Sequence, residues 1–98
     1  MPDTRDVLAA FQDWFVASCD GEWEHDAGVS IETLDNPGWR VRVSLRDTAN
    51  AGREYERQEI YRDEHDWIVC WVEKDEFNAA CGPHNLGEAL SVFLDWAR

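Results

Sequence analysis

Apolar residues near the start of the chain recur at helical spacing: Val7, Ala10, Phe11, Trp14, Phe15 and Ser18 fall on one side of a 3.6-residue period. The spacing predicts a helix over residues 4–18, with Asp3 or Thr4 placed to cap it and Asp6 in its first turn. Cys19-Asp20-Gly21 ends it, because glycine most readily takes the left-handed stop. The same period returns at the other end in Leu86, Ala89, Leu90, Phe93, Leu94 and Ala97, where Asn85 stands as an N-cap and Glu88 follows at capping-box spacing. Between the helices the period changes to two. Trp39, Val41, Val43 and Leu45 alternate with Arg40, Arg42, Ser44 and Arg46, which predicts a strand with one apolar and one polar face. Residues 27–34 precede it as a second strand, joined through Asp35-Asn36-Pro37-Gly38, a turn signal that favours an antiparallel hairpin. Residues 53–62 are more polar, as a half-exposed or edge strand would be, and Trp67 to Val72 is apolar on both faces. These elements predict an α+β fold, a four-stranded antiparallel meander sheet with N-terminal and C-terminal helices packed on one face.

Length adds one restriction: 98 residues suffice for a single domain, residues 1–98, whose modest core must be built from large side chains. Six Trp, four Phe and two Tyr supply them. Trp14 and Trp96 lie on or beside the helical stripes and Trp39 leads the inward strand face, so all three are assigned to the core. Trp23, flanked by Glu22 and Glu24, and one of Trp67 and Trp71 are expected to be partly exposed, an aromatic ringed by acids being the form of an interface anchor.

Charge changes the functional picture more than the fold. Twenty-one acidic residues against nine basic ones leave a net charge of −12, so a nucleic acid or an anionic membrane is excluded as a partner by repulsion. No apolar run is long enough to span a bilayer, and Met1 to Asp6 lacks the basic start and apolar stretch of a signal peptide, which predicts a cytoplasmic protein. Three widely spaced cysteines, Cys19, Cys70 and Cys81, fit reduced thiols in that compartment. Six arginines (Arg40, Arg42, Arg46, Arg53, Arg57 and Arg62) fall within residues 39–62, while the acids concentrate towards both ends. Those of the Trp39–Leu45 strand are expected to sit across from Glu32 and from the glutamates of residues 53–62, as exposed cross-strand pairs.

The densest candidate site is Cys19 to Asp26, with Asp20, Glu22, Glu24, His25 and Asp26 within seven residues. It lacks the central glycine and terminal glutamate of a calcium loop, and no Cys/His cluster has zinc spacing, so neither a metal nor another cofactor is expected. A solvated acidic connection and a partner-facing acidic surface remain. The histidines, His25, His65 and His84, fall in or beside predicted loops. No phosphate loop or nucleophile elbow is present. The one enzymatic alternative is a small thiol-dependent enzyme, such as a sulfurtransferase, using Cys81 just before Gly82-Pro83 and the last helix, where a helix dipole would lower its pKa and nearby acids would raise it.

The run from Cys19 to Trp39 resembles the signature of the immunity protein 53 family of bacterial polymorphic toxin systems. Asp66-Trp67-Ile68 with Cys70, Gly82-Pro83 with Asn85-Leu86, and Phe93-Leu94-Asp95-Trp96 extend the resemblance over nearly the whole chain. Residues 47–62 and Ala79-Ala80-Cys81, where more glycine would be expected, match it less well. The resemblance implies a small cytoplasmic protein that binds and neutralises a cognate toxin without catalysis. An acidic protein would be steered towards a basic toxin, and a nuclease is the class that the charge suits. The partner-binding residues expected on this reading are Asp20, Glu22, Trp23, Glu24, His25 and Asp26 with Asp35, Asn36 and Trp39.

Overall fold

A computed structural model describes residues 4–98; the candidate caps, Asp3 and the Thr4 side chain, lie outside the described residues. The chain runs α1 (Thr4–Ser18), α2 (Trp23–Asp26), β1 (Val29–Leu34), β2 (Gly38–Ser44), β3 (Gln58–Tyr61), β4 (Trp67–Glu73), β5 (Glu76–Cys81) and α3 (Leu86–Ala97). Both long helices stand where the apolar period puts them, and β1 pairs with β2 in the expected antiparallel hairpin, Val29 opposite Val43 and Leu34 opposite Gly38.

The α+β class holds, but the sheet has five strands in the order β1-β2-β5-β4-β3, all antiparallel, and is not a four-stranded meander. The additional strand, β5, follows β4 through a two-residue loop in which Lys74 and Asp75 take φ of 51° and 57°. Positive φ at both central positions is the geometry that favours tight hairpins. Lys-Asp is a poor sequence signal for it, and Asn78-Ala79-Ala80 reads as no strand because alanine has low strand propensity. β5 then inserts between β2 and β4, so the chain leaving β2 must cross to the far edge before forming β3.

Register assigns the faces. Val41, Val43, Ile68, Cys70, Phe77, Ala79 and Cys81 share the inner face and meet Val7 and Phe11 of α1 and Ala89, Leu90 and Phe93 of α3. Both helices therefore cover one face of the sheet, as the pattern predicted. Phe93 is the hub, its ring 4.8 Å from Trp14, 5.1 Å from Phe77 and 5.8 Å from Phe11. Trp14, Trp39 and Trp96 pack against this cluster, partly buried. Gly38 is required by packing: a Cβ there would collide with the Cys81 carbonyl oxygen of the adjacent strand.

Two buried asparagines tie the layers together. Asn50 accepts from Trp14 Nε1 at 3.3 Å and donates to the Ala97 carbonyl at 2.9 Å, which fastens the long β2–β3 connection to both helices. Asn85 donates to Glu88 Oε1 at 3.0 Å, but its Oδ1 accepts from the Trp67 backbone N–H and makes no cap bond to its own helix. The predicted capping box does not form: the Asn85 backbone N–H donates to the Gly82 carbonyl at 3.1 Å, and Glu88 accepts from the Asn85 side-chain amide instead. The tertiary bond to β4 takes the acceptor that the cap would have used.

Candidate partner-binding surface

The acidic segment is held by its own backbone. Asp20 Oδ1 accepts from the N–H groups of Glu22 and Trp23, each at 2.9 Å, and the Glu24 carboxylate accepts from those of Asp20 and Gly21 at 2.9–3.0 Å. Gly21, at φ +94°, makes the reversal that aims these donors inward. Hydrogen bonds from Trp23 and Glu22 hold the Asp20 carboxyl below the usual range, and those from Glu24's own amide, Asp20 and Gly21 do the same for Glu24.

Trp23 does not have the exposure expected of it. It is 2% exposed, its ring 5.7 Å from both Trp14 and Phe15 and its Nε1 donating to the Ser44 carbonyl at 3.3 Å. The single turn of α2 points Glu22, Glu24, His25 and Asp26 to solvent and the tryptophan inward. Trp23 therefore cannot serve as an exposed anchor. Trp39 is half-buried, with its Nε1 donating to the Pro83 carbonyl at 3.0 Å. Asp35 and Asn36 are exposed at the tip of the β1–β2 hairpin. The six residues of β1 separate this tip from α2, a span of about 20 Å, so the two halves of the expected surface form separate acidic ends.

The outer face of the sheet joins those ends. It carries Glu32 from β1, Arg40 and Arg42 from β2, Asn78 and Ala80 from β5, Trp67, Val69 and Trp71 from β4, and Glu59 and Tyr61 from β3. The guanidinium groups of Arg40 and Arg57 each lie 5.0 Å from the Trp71 ring centroid. Arg40 also donates to Asn78 Oδ1 at 2.8 Å, while Arg57 pairs with Glu59 at 2.7 Å and Tyr61 stacks on Trp67 at 6.4 Å. Among the described residues only the Arg42–Glu32 pair, at 3.9 Å, follows the expected cross-strand scheme. β2 cannot reach Glu59 of β3 because β5 and β4 stand between them. Both Trp67 and Trp71 are partly exposed, where one was expected. A cleft of about 410 Å³ opens at the α2 end of this face, with Asp26, Ser30, Arg42, Arg46, Lys74 and Glu76 in its wall.

The sequence pattern does not single out the Arg40–Trp71–Arg57 cluster. Trp71 and the alternating arginines are its visible signal, but only the β5 insertion shows which strands bring them together.

The thiol alternative loses its chemistry. Cys81 is fully buried in β5, and burial pushes its pKa up to about 11. Cys70, also buried, is pushed up to about 12. Neither offers an accessible thiolate near neutral pH. Among the described residues no three His, Cys, Asp or Glu side chains group to hold a metal ion, and no helix is long and apolar enough to cross a membrane.

Residues 8–98 match the family described as Immunity protein 53, from the first turns of α1 through the whole sheet to the end of α3. The chain belongs to the immunity protein 53 family. Its match includes β3 and β5, the parts of the chain where the resemblance in motifs is weakest. No curated protein and no solved structure matches it. Membership in immunity protein 53 supports an immunity role with a toxin as partner.

Proposed function

We propose that the chain neutralises its cognate toxin by direct, non-covalent binding in the bacterial cytoplasm, and that this toxin is a basic domain, best matched by a nuclease of a polymorphic toxin system. The family match over residues 8–98 carries the reading of immunity. The net charge of −12 and the exposed Glu22, Glu24, Asp26 and Asp35 support a basic partner, because a field of this sign attracts a cationic protein over long distances. On this reading Asp20, Trp23 and Trp39 contribute by holding the two acidic ends in place, and His25 and Asn36 contribute contacts beside them.

The test uses the toxin domain encoded beside the chain's own gene, made inactive by substitution. A stable complex is expected on co-purification, with an association rate that falls at least about tenfold between low and high salt. A salt-independent association rate would refute the basic partner. Protection of cells without a complex would overturn direct binding itself.

A further inference from the structure

The outer sheet face departs from an ordinary solvated face in three ways. Val69 is 5% exposed and Asn78 0%, although no described helix or strand packs over them, so the flat-lying side chains of their neighbours must cover them. The covering groups are tryptophan, tyrosine and arginine, the residues that carry most of the binding energy at protein interfaces. The third departure is chemical. Arg40 Nε is buried and has no hydrogen-bond partner, and no carboxylate of the described residues forms an ion pair with this guanidinium. The half-buried guanidinium thus carries its charge without a counter-ion, and a carboxylate arriving at its accessible edge would supply one.

We infer that this face, centred on Arg40 and Trp71, is the docking platform for the toxin, and that the toxin seats an Asp or Glu side chain against Arg40. The inference rests on the direct-binding reading above and assigns the contact within it. Arg40 is pre-organised to receive a carboxylate, since Trp71 supports its plane and Asn78 holds one terminal nitrogen, so little freedom is lost on contact. Arg57, on the same ring, adds positive charge to the spot, while its own pair with Glu59 satisfies it. Charge decides between occupants. A phosphate polymer meets a net −12, and a second copy brings another −12; a basic toxin with one local carboxylate is attracted at both ranges. The exposed acids near Asp26 and Asp35 then form the polar rim, with the aromatic–arginine cluster at the centre.

Arg40→Gln, Trp71→Ala and Tyr61→Ala, each checked for an unchanged fold by circular dichroism, are compared with the wild-type chain for binding to the inactivated toxin domain. Arg40→Gln and Trp71→Ala are expected to raise the dissociation rate roughly 30-fold or more, the loss typical of a hot spot, with little change in the salt dependence of association. Radical footprinting of the wild-type complex needs no variant; it is expected to protect Trp71 and Tyr61 from oxidation. Unprotected aromatics, or variants that dissociate like wild type, overturn the platform while leaving direct binding intact. A wild-type chain that does not bind the toxin overturns both readings. A dimer of the free chain that Trp71→Ala dissociates assigns the face to a second copy and overturns the toxin contact.

Discussion

Trp23 illustrates how little a residue's sequence neighbours say about its exposure. Glu22 and Glu24 flank it, yet one helical turn separates their directions by roughly 100° per residue, enough to send acids outward and the indole inward. Its ring contacts with Trp14 and Phe15 predict that Trp23→Ala destabilises the protein by about 3–5 kcal/mol, read as a lowered denaturant midpoint. Trp23→Phe should recover much of that loss, which a role confined to partner contact would not produce. The neighbouring carboxylates make a pH prediction. Asp20 and Glu24 are held below their ordinary values of 3.8 and 4.5, so the folded state binds fewer protons there than the unfolded one. Their contribution is fully present above those ordinary values and is lost as pH falls through the depressed ones. Urea unfolding of the double variant Asp20→Asn, Glu24→Gln should give a lower stability at neutral pH and a shallower decline below about pH 4.5. An unchanged acid limb would mean that ionisation of these two carboxylates carries no stability.

At the scale of elements, the sequence foretold what periodicity encodes. α1, α3 and the β1–β2 hairpin are legible because a long amphipathic stripe, a cap position or a turn signal marks each one. β5 is the element it hides. Ala79 is wholly buried in the core and Ala80 lies between Arg40 of β2 and Val69 of β4, and two alanines of low strand propensity erase the strand signal. Its turn is equally obscure, since Lys74 holds a left-handed conformation that glycine or asparagine would normally advertise. Asp75 is fixed there by its bonds within the fold: its carbonyl accepts from Leu45 N–H and its carboxylate from Gly52 N–H, both at 2.9 Å. Lys74 has no such duty in the hairpin, so Lys74→Gly should relieve local strain of about 1 kcal/mol and raise the melting temperature by about 4–8 °C. Asp75→Gly should instead show no gain, because the bond to Gly52 is lost with the carboxylate. A Lys74→Gly protein that melts no higher would show that the turn is not strained.

At the scale of the molecule, charge and topology divide the labour of binding. The acidic ends of β1 lie about 20 Å apart and the outer face spans the distance between them, an arrangement that composition alone could not reveal. Long-range attraction depends on the summed field, so it belongs to the many exposed acids; residence depends on short-range contacts, so it belongs to the centre of the face. Neutralising Glu22, Asp26 and Asp35 together, as Glu22→Gln, Asp26→Asn and Asp35→Asn, should therefore slow association with a basic toxin and flatten its salt dependence, leaving the dissociation rate within about threefold of wild type. None of the three is buried, and removing like charges from a chain of net −12 lessens self-repulsion, so the variant should melt no lower than wild type. That last measurement separates weakened steering from a damaged fold. If the triple variant associates as fast as wild type at low salt, the acidic ends do not steer; if it instead dissociates much faster, the contact itself lies on them and not on the face between.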